Sequence, residues 1–304
     1  MFFRPSFPKN ALDIESNYIT ALSLEKKAGR HIVNRMAIVP VPENTIVPNF
    51  SEKNIQNPEM LLNLLEQAVE NADLKRRKKW SIALPNETIR TALITIENPP
   101  KSKNEFYEIL DWKSERAFGV PAEELRLAHE KISIEQPDKA KYLVTAIKLS
   151  VLQEYENLFE HLRWHAGLIL PRLLCEMKWL LTNTIGDSLL ISLHSDGFSS
   201  AIIQSSVPSI IRNVNCAWQE VEDEIYRFLM FYREKFNPQQ EDLFGILIVG
   251  DSTKAIDINK ITTDVFGYMP KVLSPEDVNL YVPMININSD TLVASAGLAS
   301  LAWK

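Results

Sequence analysis

Glycine is scarce, with 9 residues among 304, well below the roughly 7% usual in globular proteins. Loops that cradle phosphate depend on glycine, because the backbone must approach the ligand closely and often at positive φ. The chain is therefore poor in the residue that nucleotide cradles use most. Cysteine is nearly absent: Cys175 and Cys216 stand alone, neither with a second ligand at metal spacing. That excludes a disulfide framework and points to buried thiols in a reducing compartment. No run approaches the roughly 18 uninterrupted apolar residues of a membrane span, and the opening MFFRPSFPKN is broken at once by arginine and prolines, unlike a signal peptide. A basic excess is lacking too, since a formal net charge of -6 gives no reason to expect nucleic acid or anionic lipid as a partner. The expectation is a cytoplasmic protein whose association with a membrane is indirect.

What is present is ordinary for a globular protein: 45% hydrophobic and 24% charged residues. A chain of 304 residues suits two domains or two related lobes. The run Lys75-Arg76-Arg77-Lys78-Lys79 leads straight into apolar residues 80–84 and reads as a solvated helix end and turn, where cations favour a helix C-terminus.

Periodicity divides the chain. Runs 11–24 and 31–39 alternate as antiparallel strands around a charged turn, and Pro58 opens a helix to about residue 74. Runs 80–84 and 89–96 read as a strand pair across Pro85-Asn86-Glu87. After Pro99-Pro100, residues 104–118 form an amphipathic helix stopped by Gly119, followed by strands at 125–135 and 142–149. This helix-plus-hairpin unit reads as an insertion at about 101–150. A helix at 151–166, a short strand near 169–174 and a helix to about 184 complete a first lobe, 1–185. The second lobe, 186–304, has β runs at 189–193, 199–204 and 210–214. A helix at 218–236, an apolar strand at 245–249, a helix from about Asp257 and a small-residue helix at 291–303 follow. Each half starts with β-hairpin material and then alternates helix and strand.

In that order, several stretches carry a resemblance. They are residues 11–20 (ALDIESNYIT), Ser81-Ile82-Ala83-Leu84-Pro85, residues 112–125 (WKSERAFGVPAEEL), His165-Ala166-Gly167-Leu168-Ile169-Leu170-Pro171, and the closing Val293-Ala294-Ser295-Ala296-Gly297-Leu298-Ala299. Together they resemble the actin-like ATPase superfamily and, within it, the PilM family of type IV pilus assembly proteins. The resemblance implies an α/β, two-lobed actin-like (ribonuclease H-like) fold with a small α+β insertion in the first lobe. It also implies two phosphate hairpins and a glycine-rich adenosine loop meeting in a central cleft.

Each of these motifs is eroded. In the first hairpin Asp13 is present, and Ser16 and Asn17 offer donors, but Glu15 replaces the glycine. If Glu15 turns inward it faces the phosphates: two like charges about 4 Å apart repel by roughly 4 kcal/mol at an effective dielectric near 20, more than the roughly 0.5–1.5 kcal/mol net from one hydrogen bond. Thr20 stands where many members carry lysine. In the second hairpin Ser192 falls where the metal-coordinating aspartate belongs and His194 where glycine belongs, with Ser195 at the turn. An alternative register gives that role to Asp196-Gly197. The adenosine loop corresponds to Gly250-Asp251-Ser252, with one glycine left. The cofactor expectation is accordingly none, with ATP and Mg²⁺ entering only if the cleft works. No metal site and no catalytic residue is assigned. His161 and His165 at i, i+4 read as helix histidines, and His194-Ser195-Asp196 is too compact in sequence to form a triad.

The resemblance implies a non-enzymatic assembly protein of a type IV pilus or type II secretion-like system. Its partner would be the short cytoplasmic tail of a single-span, PilN-like inner-membrane protein, bound beside the insertion by extended contacts and apolar anchors. Phe106, Trp112, Phe118 and Tyr142 are the aromatic candidates. Self-association into a homo-oligomer stays open. An active ATPase or sugar-kinase-like enzyme of the same fold is the alternative. A filament-forming relative would be expected to carry an amphipathic helix beyond the closing Leu301-Ala302-Trp303-Lys304.

Overall fold

The computed structural model describes residues 7–136, 138–183, 186–235, 243–250, 256–283 and 288–303. Its first sheet begins as three antiparallel strands, β1 (Asn10–Ile14), β2 (Tyr18–Lys27) and β3 (Arg30–Pro40). Helix α1 (Pro58–Asn71) follows; Asn57 caps it by accepting from the Met60 amide, and Pro58 fills its first turn, where no donor is needed. Strand β4 (Lys79–Leu84) then returns parallel to β1. The alternation of β1 sends Leu12 and Ile14 into a core with α1, while Ala11 joins a different core on the opposite face. Asp13 therefore lies on the Ala11 face.

A three-stranded sheet follows, with β5 (Arg90–Glu97), β6 (Leu125–Gln136) and β7 (Lys139–Lys148) in the order β5-β7-β6. Helix α2 (Lys103–Phe118) packs on it and ends at Gly119 with φ +74°. The sequence reading of 80–84 and 89–96 as a strand pair is corrected: β4 pairs with β1 in the first sheet and β5 with β7 in the second. The hairpin-like turn was misleading because a turn specifies a local reversal but not which edge the next strand joins. The side chains of Ile94 and Ile96 are buried with Leu110 and Val144, and this small core captures β5.

Helix α3 (Leu149–His161) crosses back, and β8 (His165–Pro171) pairs parallel to β4. Helix α4 (Arg172–Asn183) starts immediately after β8. The second large sheet contains β9 (Ser188–His194), β10 (Gly197–Gln204), β11 (Val207–Asn215), β12 (Gly245–Gly250) and β13 (Lys271–Leu273), in the order β11-β10-β9-β12-β13. Helices α5 (Val221–Lys235) and α6 (Ile258–Phe266) cover one of its faces. β14 (Leu280–Tyr281) joins the first sheet beside β3, giving β14-β3-β2-β1-β4-β8. Helix α7 (Val293–Ser300) is buried along its whole length.

Helices α4 and α7 lie between the two large sheets and share one core with Ala11 of β1, Leu190 of β9 and Leu247 of β12. In β9 the alternation sends Leu189, Ile191 and Leu193 toward α5, so Leu190, Ser192 and His194 share the α4 side. The ends of two hairpins, one per sheet, thus converge on the first turn of α4. Among the described residues no helix is long and apolar enough to cross a membrane.

Candidate functional site

The two hairpins are superposable in plan. β1 and β2 enclose Glu15, Ser16 and Asn17, with Asp13 opposite Thr20. β9 and β10 enclose Ser195 and Asp196, with Ser192 opposite Ser199. Their tips meet: Ser16 Oγ lies 3.3 Å from Ser195 Oγ. A second tie comes from the loop after β4, where Asn86 donates to Ser199 Oγ at 3.1 Å and accepts from the Leu173 amide at 2.8 Å. A third is the ion pair between His194 Nδ1 and Glu87 Oε1, 2.8 Å apart.

Between the hairpins lies a buried guanidinium. Arg172 opens α4 and is 2% exposed. Its Nη1 is 3.1 Å from Asp13 Oδ2 and 3.2 Å from Glu15 Oε1, and it also donates to the Tyr18 hydroxyl. Its Nε donates to Glu176 Oε1 at 2.7 Å, one helical turn along α4. Glu15 turns inward, and what it meets there is this cation. Ser192 is buried on the same side, and its hydroxyl makes no hydrogen bond among the described residues. Sequence reading missed Arg172, Glu176 and Glu87. The legible signal was Arg172 and Glu176 at i, i+4 in the otherwise largely apolar start of a helix, RLLCEM, since charges are rarely buried unless paired.

Three carboxylates around one guanidinium cannot all be comfortably ionised. Burial pushes Asp13 up to about 6, with Arg172 pulling it down and Glu176 pushing it further up. Burial pushes Glu15 up to about 8 against the pull of Arg172, with Asp13 adding to the rise, so Glu15 holds a proton at neutral pH. Burial also raises Glu176 despite Arg172. Across the cleft the balance reverses: burial opposes charge on Glu87 and His194, but their mutual attraction outweighs it, lowering Glu87 and raising His194.

The remaining sequence candidates are dispersed. Gly250 ends β12 with φ +100°, and a Cβ there would fall 2.1 Å from the Leu193 carbonyl oxygen; strand packing alone demands glycine. Asp251 and Ser252 lie outside the described residues. His161 ends α3 while His165 begins β8, so the two do not share a helix. No cluster of three or more metal-binding side chains occurs among the described residues. Of the aromatic candidates, Phe118 and Tyr142 are buried in the small core under α2, and Phe106 packs half-buried against the Tyr142 ring. Trp112 is 53% exposed on α2, with the Arg116 guanidinium 5.1 Å from its ring centre.

Two hollows adjoin these elements. One, of about 520 Å³, is polar and lies between β5 and β11, bordered by Glu87, Arg90, Phe118 and, at the turn of the second hairpin, Asp196. The other, of about 360 Å³, is apolar and runs between β7 and the β8–α4 segment, lined by Leu143, Leu168, Leu170, Leu174 and Leu181 with Glu130 and Lys178 at its edges.

Residues 11–168, just over half of the chain, match the sequence profile of the family described as Type IV pilus assembly protein PilM. No curated protein matches the chain by sequence. Among solved structures, a chain of a PilM-PilN type IV pilus biogenesis complex superposes with a TM-score of 0.80 at 14% identity, covering 99% of this chain and 100% of that one. A Bacteroides thetaiotaomicron protein with an actin-like ATPase fold and unknown function gives 0.54 at 8% identity, covering 97% and 96%. The cytoplasmic domain of EpsL, an inner-membrane component of the Vibrio cholerae type II secretion system, gives 0.50 at 11% identity, covering 89% and 92%. At these identities the likenesses establish the fold, which is actin-like.

Proposed function

Because the chain belongs to the PilM family of type IV pilus assembly proteins, we propose that it acts as a non-enzymatic assembly protein that has given up nucleotide. The observation that carries this reading is the Arg172 cluster, in which Asp13 and Glu15 of the first hairpin are bound to the protein's own cation. The donor set does not suit a magnesium-bound triphosphate. Mg²⁺ favours carboxylate and phosphate oxygens with near-ideal octahedral geometry. Ser192 supplies no carboxylate, Asp13 is engaged by a guanidinium, and Glu15 occupies the turn that a phosphate would need. The cluster takes the place of a ligand in joining the first hairpin to α4.

The partner in this reading is the cytoplasmic tail of a single-span, PilN-like inner-membrane protein, and membrane association runs through that partner. Its docking place is the leucine-lined hollow between β7 and α4, which suits an extended apolar segment. Of the aromatic residues, Phe106, Phe118 and Tyr142 then serve mainly to hold the small sheet that forms one wall of the hollow. One specific observation favours the alternative, an ATP-binding protein: the polar hollow of about 520 Å³ that reaches the turn of the second hairpin at Asp196.

Thermal unfolding with and without Mg·ATP separates the two. A ligand at a hundred times its Kd stabilises by about 2.7 kcal/mol, a shift of several degrees for a protein of this size. No shift is expected with Mg·ATP. A synthetic PilN-like tail is expected to raise the Tm, and Leu174→Glu should abolish that rise. A clear ATP shift would overturn the non-enzymatic reading, and an unmoved Tm with the tail would overturn the docking site.

A further inference from the structure

The end of the first sheet remote from the hairpins gathers cations from four separate segments. Ala11 of β1 is level with Ser81 of β4, and Lys79 of β4 is level with His165 of β8. Lys9, just before β1, therefore lies beside the starts of two neighbouring strands. The β2–β3 turn extends from the same end, since Asn10 pairs with Ser23 and the chain continues to Lys27 opposite Arg30. The loop from α1 into β4 supplies four consecutive cations at 76–79, and the turn from α3 into β8 supplies Arg163. All are exposed. The sequence spreads them over more than 150 residues, and the sheet brings them to one rim.

This rim has an uncompensated charge. The acids around it are taken by other partners: Glu25 pairs with Lys27, Glu70 with Lys75 and Asp73 with Arg35. Lys9, Lys26, Arg30, the 76–79 run and Arg163 make no ion pair among the described residues, and Glu156 and Glu160, which line one hollow with Arg163, temper that corner. The formal net charge of -6 hides this asymmetry. At physiological salt a charge is felt over about 8 Å, whereas the acidic hairpin ends lie a five-residue strand away, roughly 17 Å. A surface touching the rim meets an excess of cations.

We propose that this rim is a docking surface for the anionic headgroups of a phospholipid bilayer. Two observations favour a membrane over other polyanions. The cations are spread along one rim of a sheet rather than along a single cleft, and the hollow at that rim, of about 440 Å³, takes in Arg163 alone of them and is flanked by the acids Glu156 and Glu160. The leucine-lined hollow also comes close to it: Phe7, two residues before Lys9, and Leu168, three after His165, line that hollow. A partner tail held there and leading to its membrane span would bring the rim to the lipid. The contact goes beyond the proposed docking function and adds a direct, salt-sensitive attachment to the indirect one.

The test is co-sedimentation of the full chain with vesicles of phosphatidylcholine alone or with phosphatidylglycerol added. Each cation at an anionic surface is worth about fivefold in partitioning. Binding is expected to vesicles containing phosphatidylglycerol and not to phosphatidylcholine alone. It should fall steeply between 0.05 and 0.3 M salt, and drop at least about tenfold when 76–79 are changed together (Arg76→Gln, Arg77→Gln, Lys78→Gln, Lys79→Gln) with the Tm unchanged. Lys26→Gln with Arg30→Gln, on a separate element, should lower it independently. Three results would overturn the proposal: no binding to anionic vesicles, binding that neither set of substitutions weakens, or capture of RNA in preference to vesicles. Binding of the synthetic tail without vesicles tests the docking function separately and is expected to survive both sets of substitutions.

Discussion

Glu15 shows how a buried carboxyl answers both to its burial and to a neighbouring cation, Arg172. Burial holds its carboxyl near 8 against an ordinary 4.5. The folded state thus binds this proton more tightly than the unfolded chain, and the contribution is complete below about 4.5 and lost as the pH rises through 8. Glu15→Gln keeps the neutral form at every pH. Its stability relative to the parent should rise between pH 6 and 9 by about 2–3 kcal/mol, at about 1.4 kcal/mol for each displaced pKa unit. A Tm difference that does not change with pH would refute the protonated Glu15. Arg172→Met acts the other way, leaving Asp13, Glu15 and Glu176 buried without their cation. Breaking a buried pair costs about 3–5 kcal/mol, so denaturant unfolding should register a loss of that size, and a loss below about 1 kcal/mol would show that the cluster does not hold the hairpins together.

Helices α4 and α7 are the elements on which the arrangement turns, because both large sheets pack against them. Their crossing is close at Gly297, where a Cβ would fall 1.9 Å from the Cys175 carbonyl oxygen. Nearby, the Trp179 indole donates to the Val293 carbonyl at 2.9 Å. Gly297→Ala therefore forces the helices apart, with an expected cost of about 1–3 kcal/mol for overpacking, read by denaturant unfolding and by a change in Trp179 emission as its hydrogen bond is lost. An unchanged midpoint and spectrum would mean that the crossing has slack. The same displacement would shift Arg172, one turn before Cys175 on the same helix, so the packing of small residues in α7 and the charges in the cleft belong to one mechanical unit.

Across the whole molecule, the cleft is held by contacts between residues far apart in sequence: Ser16 with Ser195, Asn86 with Ser199, and Glu87 with His194. The last is conditional on pH. Glu87 is lowered, so its contribution is present above about 4.5 and lost as the pH falls through its folded value. His194 is raised, so its contribution is present below about 6.5 and lost as the pH rises through its folded value. A double-mutant cycle of Glu87→Gln and His194→Ala should give a coupling of about 0.5–3 kcal/mol near pH 6 that declines toward zero by pH 9. Coupling that persists at pH 9 would assign the contact to packing.

The sequence by itself determined the elements and their broad order. Period-two alternation and turn residues marked the hairpins, Pro58 and Gly119 bounded helices, and Asp13 located the first turn, because these depend on local sterics and on which face of a segment is apolar. It also showed how few glycines the chain has, since a scarcity of one residue is visible without coordinates. Tertiary structure decided which sheet edge β5 joins, that Glu15 meets Arg172 across more than 150 residues, and that cations from four segments share one rim. Strand pairing and charge compensation are long-range, set by which surfaces can be buried together, and no local pattern in ALDIESNYITALSL specifies the guanidinium that fills its turn.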